Sequence, residues 1–208
     1  MDDIHIEPLR KAYDADAERR DETEPDPWRL SLVELLAERL VSSGRRSVVD
    51  LGCGTGQLAA HLQSLGLTVS AIDLSAENVA RTLARNIDAQ LGDLTATPFA
   101  AASFDGALAF NSFLHVPKAS ISRAFAETRR ILRPGAVALI VVWGGTEREG
   151  PMDQDWLEPP RFFSLFSDDD FVNLPTDGFR RLETRLLHDH RTTGKGNLHP
   201  QMMLLEAT

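Results

Sequence analysis

The chain has 208 residues, of which 42% are hydrophobic and 25% are charged, and its formal net charge at pH 7 is −9. This composition is typical of one globular domain, and the excess of acidic residues argues against a nucleic-acid substrate, because phosphate binding requires clustered lysine and arginine. The longest apolar run, Ala136 to Trp143, is far shorter than the roughly 20 residues that cross a bilayer, and no basic-then-apolar leader precedes it, so we expect a cytoplasmic protein that does not bind membranes.

The N-terminal region, residues 1–44, predicts a helical cap. Leu9 and Tyr13 lie at helical spacing on one apolar face, prolines at 25 and 27 interrupt the pattern, and a second apolar face follows over residues 32–40. We therefore expect two helices here, which form a lid over the rest of the molecule.

The most informative segment follows, from Val48 to Gly56, with the sequence VVDLGCGTG. A short apolar run rich in β-branched residues ends in Asp50, glycines occupy positions 52, 54 and 56, and helical spacing resumes at Leu58. Residues without side chains let the backbone approach a ligand closely, and the new helix presents unpaired N–H groups at its positive end. The segment therefore predicts a strand, a tight turn and a helix that bind a small charged molecule.

Two phosphate-binding motifs fit this turn less well. A dinucleotide fingerprint requires glycine five positions after the first one, where the chain has Gln57, and the Gly-Lys-Ser/Thr of a P-loop is absent. Cys53 is the only cysteine, so it forms neither an internal disulfide nor a thiol metal cluster. We expect it to contact the ligand through its backbone rather than to act as a nucleophile.

Four later segments continue the pattern in chain order. Val69–Ser75 predicts a second strand that ends in an acid, Gly92–Leu94 follows a third, Ser103–Asn111 predicts a fourth, and Arg130–Gly135 predicts the turn before a fifth. Together with the glycine turn, these segments resemble the motifs of the class I S-adenosylmethionine (SAM)-dependent methyltransferases, in the same order. The resemblance spans roughly residues 45–145.

This resemblance implies an α/β fold: a Rossmann-like seven-stranded, mostly parallel sheet with helices on both faces, an antiparallel C-terminal hairpin and an N-terminal helical lid. The alternation of strand and helix periods also indicates a parallel sheet with helices on both faces. We expect a single domain that consists of the cap at 1–44, a cofactor-binding core at 45–143, and an acceptor loop with the C-terminal hairpin at 144–208.

The resemblance also implies a site for SAM and its product S-adenosyl-L-homocysteine (SAH). Asp73 would accept both ribose hydroxyls, Asp93 would meet the adenine amine, and the glycine turn would lie under the methionine part. Asp50 would either orient the turn or reach the ammonium group. Tyr13 would close over the methionine carboxylate, although a core aromatic is an equal alternative for it. The full predicted cofactor set is Tyr13, Asp50, Gly52, Cys53, Gly54, Gly56, Asp73, Leu74, Asp93, Leu94 and Asn111.

Three residues are predicted to act on the acceptor. His115 follows the fourth strand and is the candidate general base, because imidazole titrates near neutral pH. An equal alternative is a histidine that packs the turn before Pro117. Phe113, in the same segment, and Trp143, at the end of the fifth strand, are the predicted acceptor contacts.

The C-terminal part changes character. Residues 144–160 are rich in glycine, proline and acids and predict a loop over the active-site edge, and Ser167 is a candidate cap for a short helix. Phe179–His188 and Met202–Ala207 predict a hairpin around a turn at Gly194–Asn197.

The histidines of this hairpin do not predict a metal site. His188 and His190 would share one face of a strand, and His199 lies nearby in the sequence, but no third ligand is clear.

The sequence thus predicts a SAM-dependent methyltransferase that acts on a small-molecule acceptor. A catalytically silent SAM-binding sensor or subunit would keep the same cofactor motifs. A nicotinamide-dependent oxidoreductase would need a longer glycine spacing and would leave Gly92–Leu94 without a role. Neither the acceptor nor the oligomeric state has a sequence signal.

Overall fold

The computed structural model describes residues 3–152, 155–188 and 198–208. The helices are α1 (Asp3–Asp21), α2 (Pro27–Ser42), α3 (Gln57–Ser64), α4 (Ala76–Ala84), α5 (Ile121–Ile131) and α6 (Asp168–Val172), with short 3₁₀ turns at Phe113–His115 and Lys118–Ser120. The strands are β1 (Ser47–Leu51), β2 (Thr68–Asp73), β3 (Asp88–Leu91), β4 (Phe104–Phe110), β5 (Leu132–Gly144), β6 (Arg148–Pro151), β7 (Phe162–Leu165), β8 (Phe179–Leu186) and β9 (His199–Ala207). No helix in these ranges combines the length and the apolar content of a membrane span.

Seven strands form one sheet in the order β3-β2-β1-β4-β5-β9-β8. The first five of this order run parallel, whereas β9 pairs antiparallel with both β5 and β8. The predicted fold class is confirmed, including the antiparallel C-terminal hairpin. Strands β2 and β3 lie on one side of β1, and β4 and β5 lie on the other, so the strand order reverses at β1. Such a reversal opens a crevice at the carboxyl ends of the central strands.

Each face of the sheet is covered by helices, because successive strand residues point to opposite sides. Val48 belongs to an apolar cluster with residues of α2, α3 and α4, while its neighbour Val49 belongs to a second cluster with residues of α5 and the turn at Phe113–His115. Leu36 and Leu62 in the first cluster are fully buried.

The lid helix α1 is held to α4 by polar contacts. Asp14 Oδ1 accepts a hydrogen bond from Ser75 Oγ at 2.5 Å, and Asp21 Oδ1 accepts one from Arg85 Nη2 at 2.6 Å. Gln57, at the start of α3, donates to the backbone oxygens of residues 20, 21 and 23, which satisfies carbonyls at the end of α1.

The structure differs from the sequence predictions in the C-terminal part. The predicted loop at 144–160 contains a strand, β6, which pairs with β7 in a separate two-stranded sheet. After the fourth strand of the sequence, helix α5 begins at Ile121, directly after the 3₁₀ turn at Lys118–Ser120. Ser167 caps α6 as predicted, with its hydroxyl accepting from the Asp170 backbone N–H. The turn at 194–197 and His190 lie outside the described residues.

Candidate active site

A cavity of about 500 Å³ lies at the carboxyl ends of β1, β2, β4 and β5, and residues of α1 form part of its wall. The topology explains its place, because ligands of open α/β sheets bind where the strand order reverses. Most of the predicted site residues border this cavity, namely Tyr13, Asp50, Gly52, Cys53, Gly54, Asp73, Leu74, Leu94, Asn111, His115 and Trp143.

The three glycines of the turn after β1 are needed for two different reasons, close packing against neighbouring side chains and access for a ligand. Gly52 and Gly56 have positive φ values of +82° and +81°, and a Cβ there would lie 2.4 Å from Ser112 Cβ and 2.7 Å from Thr82 Oγ1, respectively. Both positions therefore need glycine for close packing. A Cβ at Gly54 would meet no atom within 4 Å, and this residue borders the cavity. A ligand can therefore approach Gly54 closely, while the Gly54 N–H and carbonyl are hydrogen-bonded to Asp73 and Thr82.

Asp73 connects the second strand to this turn. Its Oδ2 accepts a hydrogen bond from the Gly54 backbone N–H at 2.8 Å, and its Oδ1 accepts from the Ser75 backbone N–H at 2.9 Å. Asn78 Nδ2 donates to Oδ1 at 3.2 Å. Burial raises the pKa of Asp73, and these hydrogen bonds act in the opposite direction. A carboxylate has about four acceptor positions, so three internal donors leave room for a donor from the cavity.

Four buried oxygens of residues that border the cavity have no hydrogen-bond partner among the described residues, namely Asp50 Oδ2, Asn78 Oδ1, Asn111 Oδ1 and Ser112 Oγ. Asp50 is only 2% exposed. Burial, and secondarily the charge of Asp73, raise the pKa of Asp50 to about 8. A buried acceptor without a partner is costly, so these atoms suit a ligand that brings a cation or hydrogen-bond donors.

His115 is bound through both ring nitrogens. Its Nδ1 lies 2.7 Å from the Phe162 carbonyl oxygen, and its Nε2 lies 2.6 Å from the Tyr13 hydroxyl. Because a carbonyl only accepts, Nδ1 carries the proton, and Nε2 accepts from Tyr13. Burial lowers the pKa of His115 to about 3, an effect that the positive charge of Arg161 reinforces, so the imidazole is neutral.

Arg161 lies on the other side of the Tyr13 hydroxyl. Its Nη2 and Nε donate to the two oxygens of Asp155 at 2.7 and 2.8 Å, a bidentate pair that is almost completely buried. Its Nη1 lies 3.5 Å from the Tyr13 hydroxyl oxygen, and its guanidinium lies over the rings of Trp156 and Phe163 at 5.2 and 5.1 Å. This side of the cavity is aromatic and positively charged.

Comparison with known proteins gives the family. Residues 49–140 match the sequence profile described as Methyltransferase domain. The chain is 37% identical to methyltransferase GfsG of Streptomyces halstedii over 54% of its own length and 44% of that protein, so it spans less than half the length of this relative. It is 30% identical to an O-methyltransferase of Pyrenophora dematioidea over 91% of its own length and 74% of that protein. The chain belongs to the class I SAM-dependent methyltransferase family.

The family assignment confirms the resemblance inferred from the five motifs. Among solved structures, the 1,6-didemethyltoxoflavin-N1-methyltransferase of Burkholderia thailandensis has a TM-score of 0.68 and 21% identity, with 97% of this chain and 88% of that chain covered. A likeness at this identity shows that the fold is shared, and it does not by itself assign a substrate.

Three of the predicted residues do not border the cavity of this methyltransferase-family chain. Phe113 is 2% exposed and packs edge-on against Phe125 in the core, so the expectation that it borders the acceptor is not met. The 3₁₀ turn instead brings the next residue, Leu114, to the cavity. Gly56 packs against α4, as described above. Asp93 accepts from the Thr95 backbone N–H at 2.8 Å, while its two neighbours in the sequence border the cavity.

Sequence reasoning missed the four arginines in the cavity wall, Arg19, Arg20, Arg29 and Arg161, of which Arg20 and Arg161 contact Tyr13. Arg20 lies seven residues after Tyr13 in α1, and its guanidinium lies 4.7 Å from the centroid of the Tyr13 ring. The spacing of seven places both on one helix face, so this contact had a sequence signal. Arg161 had none, because its proximity to Tyr13 arises from the tertiary fold. The other wall contains Trp143, whose ring lies edge-on to that of Trp28 at 6.3 Å.

Proposed function

We propose that this protein transfers the methyl group of SAM to an oxygen of a small-molecule acceptor bound in the same cavity. The observation that carries the proposal is the pair of buried, unpartnered oxygens of Asp50 and Asn111 beside the bare backbone of Gly54. These groups fit a ligand that is positively charged at one end and offers hydroxyl donors at the other. SAM has an ammonium group, a sulfonium and two ribose hydroxyls, so the residues present suit it.

The residues divide into two sets. Asp50, Asp73 and Asn111 supply acceptors at the end formed by β1, β2 and β4, and Leu74 and Leu94 supply apolar surface beside them. When bound, SAM supplies a methyl group that is already activated by its sulfonium. The protein therefore has to orient the acceptor oxygen in line with that methyl group and exclude water.

We propose that His115 positions Tyr13 rather than acting as the general base. Its two nitrogens are engaged and its pKa is near 3, so it is a poor proton acceptor at neutral pH. The Tyr13 hydroxyl donates its hydrogen bond to His115 Nε2, and so its oxygen presents only lone pairs to the cavity. It can accept a hydrogen bond from an acceptor hydroxyl or from an ammonium group.

The aromatic part of the cavity, in which we propose that the acceptor binds, favours a planar, apolar molecule. Phe110, Trp143, Trp156 and Phe163 border the cavity, and flat rings pack favourably on such walls. Attack by oxygen is supported by relatives from Aspergillus nomiae and Pyrenophora dematioidea that are named O-methyltransferases. We therefore place phenols and enols first among candidate acceptors.

Calorimetry and an acceptor screen test this function. We expect saturable binding of SAM and SAH and none of NAD, followed by transfer of a labelled methyl group to at least one compound in a panel of phenols, enols, carboxylic acids and amines. Binding of NAD alone would contradict the whole proposal. Binding of SAM with no transfer to any compound would instead support the silent SAM binder. Methylation of amines only would contradict the choice of oxygen.

We also propose that the protein works in the cytosol and without nucleic acid. Support comes from the net charge of −9 and from Cys53, which is buried and unpaired as a thiol. Gel filtration with light scattering would give the oligomeric state.

A further inference from the structure

Three metal-ligating side chains converge at the C-terminal edge of the sheet, outside the cavity. Asp168 opens α6, His188 follows β8, and His199 opens β9. His199 Nε2 lies 2.8 Å from Asp168 Oδ1, and His188 Nε2 lies 3.7 Å from Asp168 Oδ2. One donor atom of each residue lies within 4.8 Å of the other two.

We propose that Asp168, His188 and His199 bind a divalent transition-metal ion of the Zn²⁺ class. Two imidazoles and one carboxylate are a common ligand set for such ions. Ligand bonds of about 2.0–2.1 Å in a tetrahedral arrangement place neighbouring ligand atoms about 3.3 Å apart. The two histidines approach different oxygens of the Asp168 carboxylate, at 2.8 and 3.7 Å, and one donor atom of each of the three residues lies within 4.8 Å of the others, so an ion would draw the side chains closer together around it.

The surroundings of Asp168 match those of a metal ligand. Gln201 is completely buried, and its Nε2 donates to Asp168 Oδ1 at 2.8 Å, which orients the carboxylate from behind. Gly144 makes room for this side chain, because a Cβ there would lie 2.1 Å from Gln201 Oε1.

The hydrogen bond between His199 and Asp168 does not explain why His188 lies beside these two residues. His188 is 58% exposed, and its Nε2 is too far from Asp168 for a hydrogen bond, yet its ring lies 3.9 Å from the ring of His199. An exposed contact between His188 and Asp168 at 3.7 Å contributes little stability by itself, so it does not account for the position of the His188 ring beside that of His199. A bound cation provides a partner that both rings share.

The position suggests what the ion would do. Gly144 pairs with His199 in the β5–β9 ladder, and Trp143, which borders the cavity, pairs with the next residue of β9. A metal ion would therefore connect the start of α6, the end of β8 and the start of β9 directly behind the acceptor wall. Its expected effect is structural, and the inference is independent of the methyl-transfer proposal.

Zinc titration of the untagged full chain, stripped with a chelator, tests the site. We expect one equivalent of Zn²⁺ to bind in competition with a chromogenic chelator, and Co²⁺ to give the intense visible absorption of a low-symmetry site. His188→Ala removes an exposed ligand and should weaken Zn²⁺ binding by about 100-fold or more, since even indirect partners of metal ligands contribute 10- to 100-fold. His61→Ala is the matched control, because His61 pairs with Glu34 at 3.0 Å elsewhere on the surface.

Thermal unfolding gives a second measurement. Saturating Zn²⁺ should raise the melting temperature of the wild type and of His61→Ala, but not that of His188→Ala, while the metal-free His188→Ala and wild-type proteins should melt alike. Asp168→Asn should lose Zn²⁺ binding as well. Absence of saturable binding, or equal Zn²⁺ affinity in His188→Ala and the wild type, would overturn the proposal.

Discussion

Asp50 shows how a single residue links burial to ligand binding. At neutral pH its carboxyl is mostly protonated, because its pKa is raised to about 8. A cationic ligand favours the ionised form, so binding must release a proton wherever the pH lies below that value.

We therefore predict that the affinity for SAM rises with pH by up to about tenfold per unit below pH 8 and levels off above it. Calorimetry between pH 6 and 9, in buffers of different ionisation enthalpy, measures both the affinity and the proton release. Asp50→Asn should remove this pH dependence. An unchanged slope in that variant would assign the proton to another group.

The pair of Tyr13 and His115 yields a second prediction, on stability. His115 is neutral in the folded protein and gains a proton on unfolding below its unfolded pKa, which is near 6.5. Its contribution to stability is therefore complete above about pH 6.5 and is lost as the pH falls towards 3. We expect the free energy of unfolding of the wild type to fall more steeply over this range than that of His115→Asn.

Denaturant unfolding at several pH values measures this difference. Comparison with the variant is necessary because Asp50, whose pKa is raised, acts in the opposite direction between about pH 4 and 8. Parallel curves for the two proteins would show that His115 does not change its protonation on unfolding. A rate profile that falls with unit slope near pH 6.5, and loses that fall in the variant, would restore the role of general base.

At the scale of elements, the glycine turn offers a matched pair of substitutions. Gly54→Ala and Gly56→Ala both place an alanine at positive φ, which costs roughly 1–2 kcal/mol. Only Gly56→Ala also drives a Cβ against Thr82 in α4. We expect it to lower the melting temperature more, whereas Gly54→Ala should weaken SAM binding more because its methyl group enters the cavity.

Calorimetry and thermal unfolding on the two variants separate these effects. Equal losses of stability and of affinity in both would mean that the two glycines do not differ as the geometry indicates.

The elements that the sequence predicted share one property, which is that their signals are local. The β-branched run before Asp50, the glycines after it and the cap at Ser167 each act within a few residues. β6 was missed because Gly150 and Pro151 argue against a strand, and only its partner β7 makes it one.

The same limit applies to the candidate site. Asp50, Asp73 and Asn111 could be predicted because each lies at or directly after the end of a recognisable strand. The bond between Tyr13 and His115 joins residues 102 positions apart, and nothing local indicates it. Phe113 was predicted to contact the acceptor, but it points into the core because a 3₁₀ turn sets the direction of its side chain. The sequence does not indicate which residue of such a turn faces the cavity.

At the scale of the whole molecule, α1 differs from the other long helices. Leu9, Ala12 and Ala17 of α1 are buried, but neither of the two apolar clusters includes this helix, and its polar contacts to α4 are made by Asp14, Asp21 and their partners. Elements with few apolar contacts open at low free-energy cost.

We predict that the backbone amides of α1 exchange with solvent faster than those of α2, and that saturating SAH slows them. At a hundred times the dissociation constant, ligand binding stabilises the bound form by about 2.7 kcal/mol, which corresponds to roughly 100-fold slower exchange. Hydrogen exchange with mass spectrometry gives both rates. Exchange of α1 as slow as that of α2 without ligand would show that α1 is not a separately opening element.

The position of α1 has a kinetic consequence. Tyr13 and Arg20 of α1 border the cavity in which we propose that both SAM and the acceptor bind. Under that proposal, a movement of this one helix would expose both ligands to solvent together. SAH and the methylated product should therefore dissociate through the same opening, one soon after the other. SAH that dissociates slowly should inhibit binding of the next acceptor as well as binding of the next SAM.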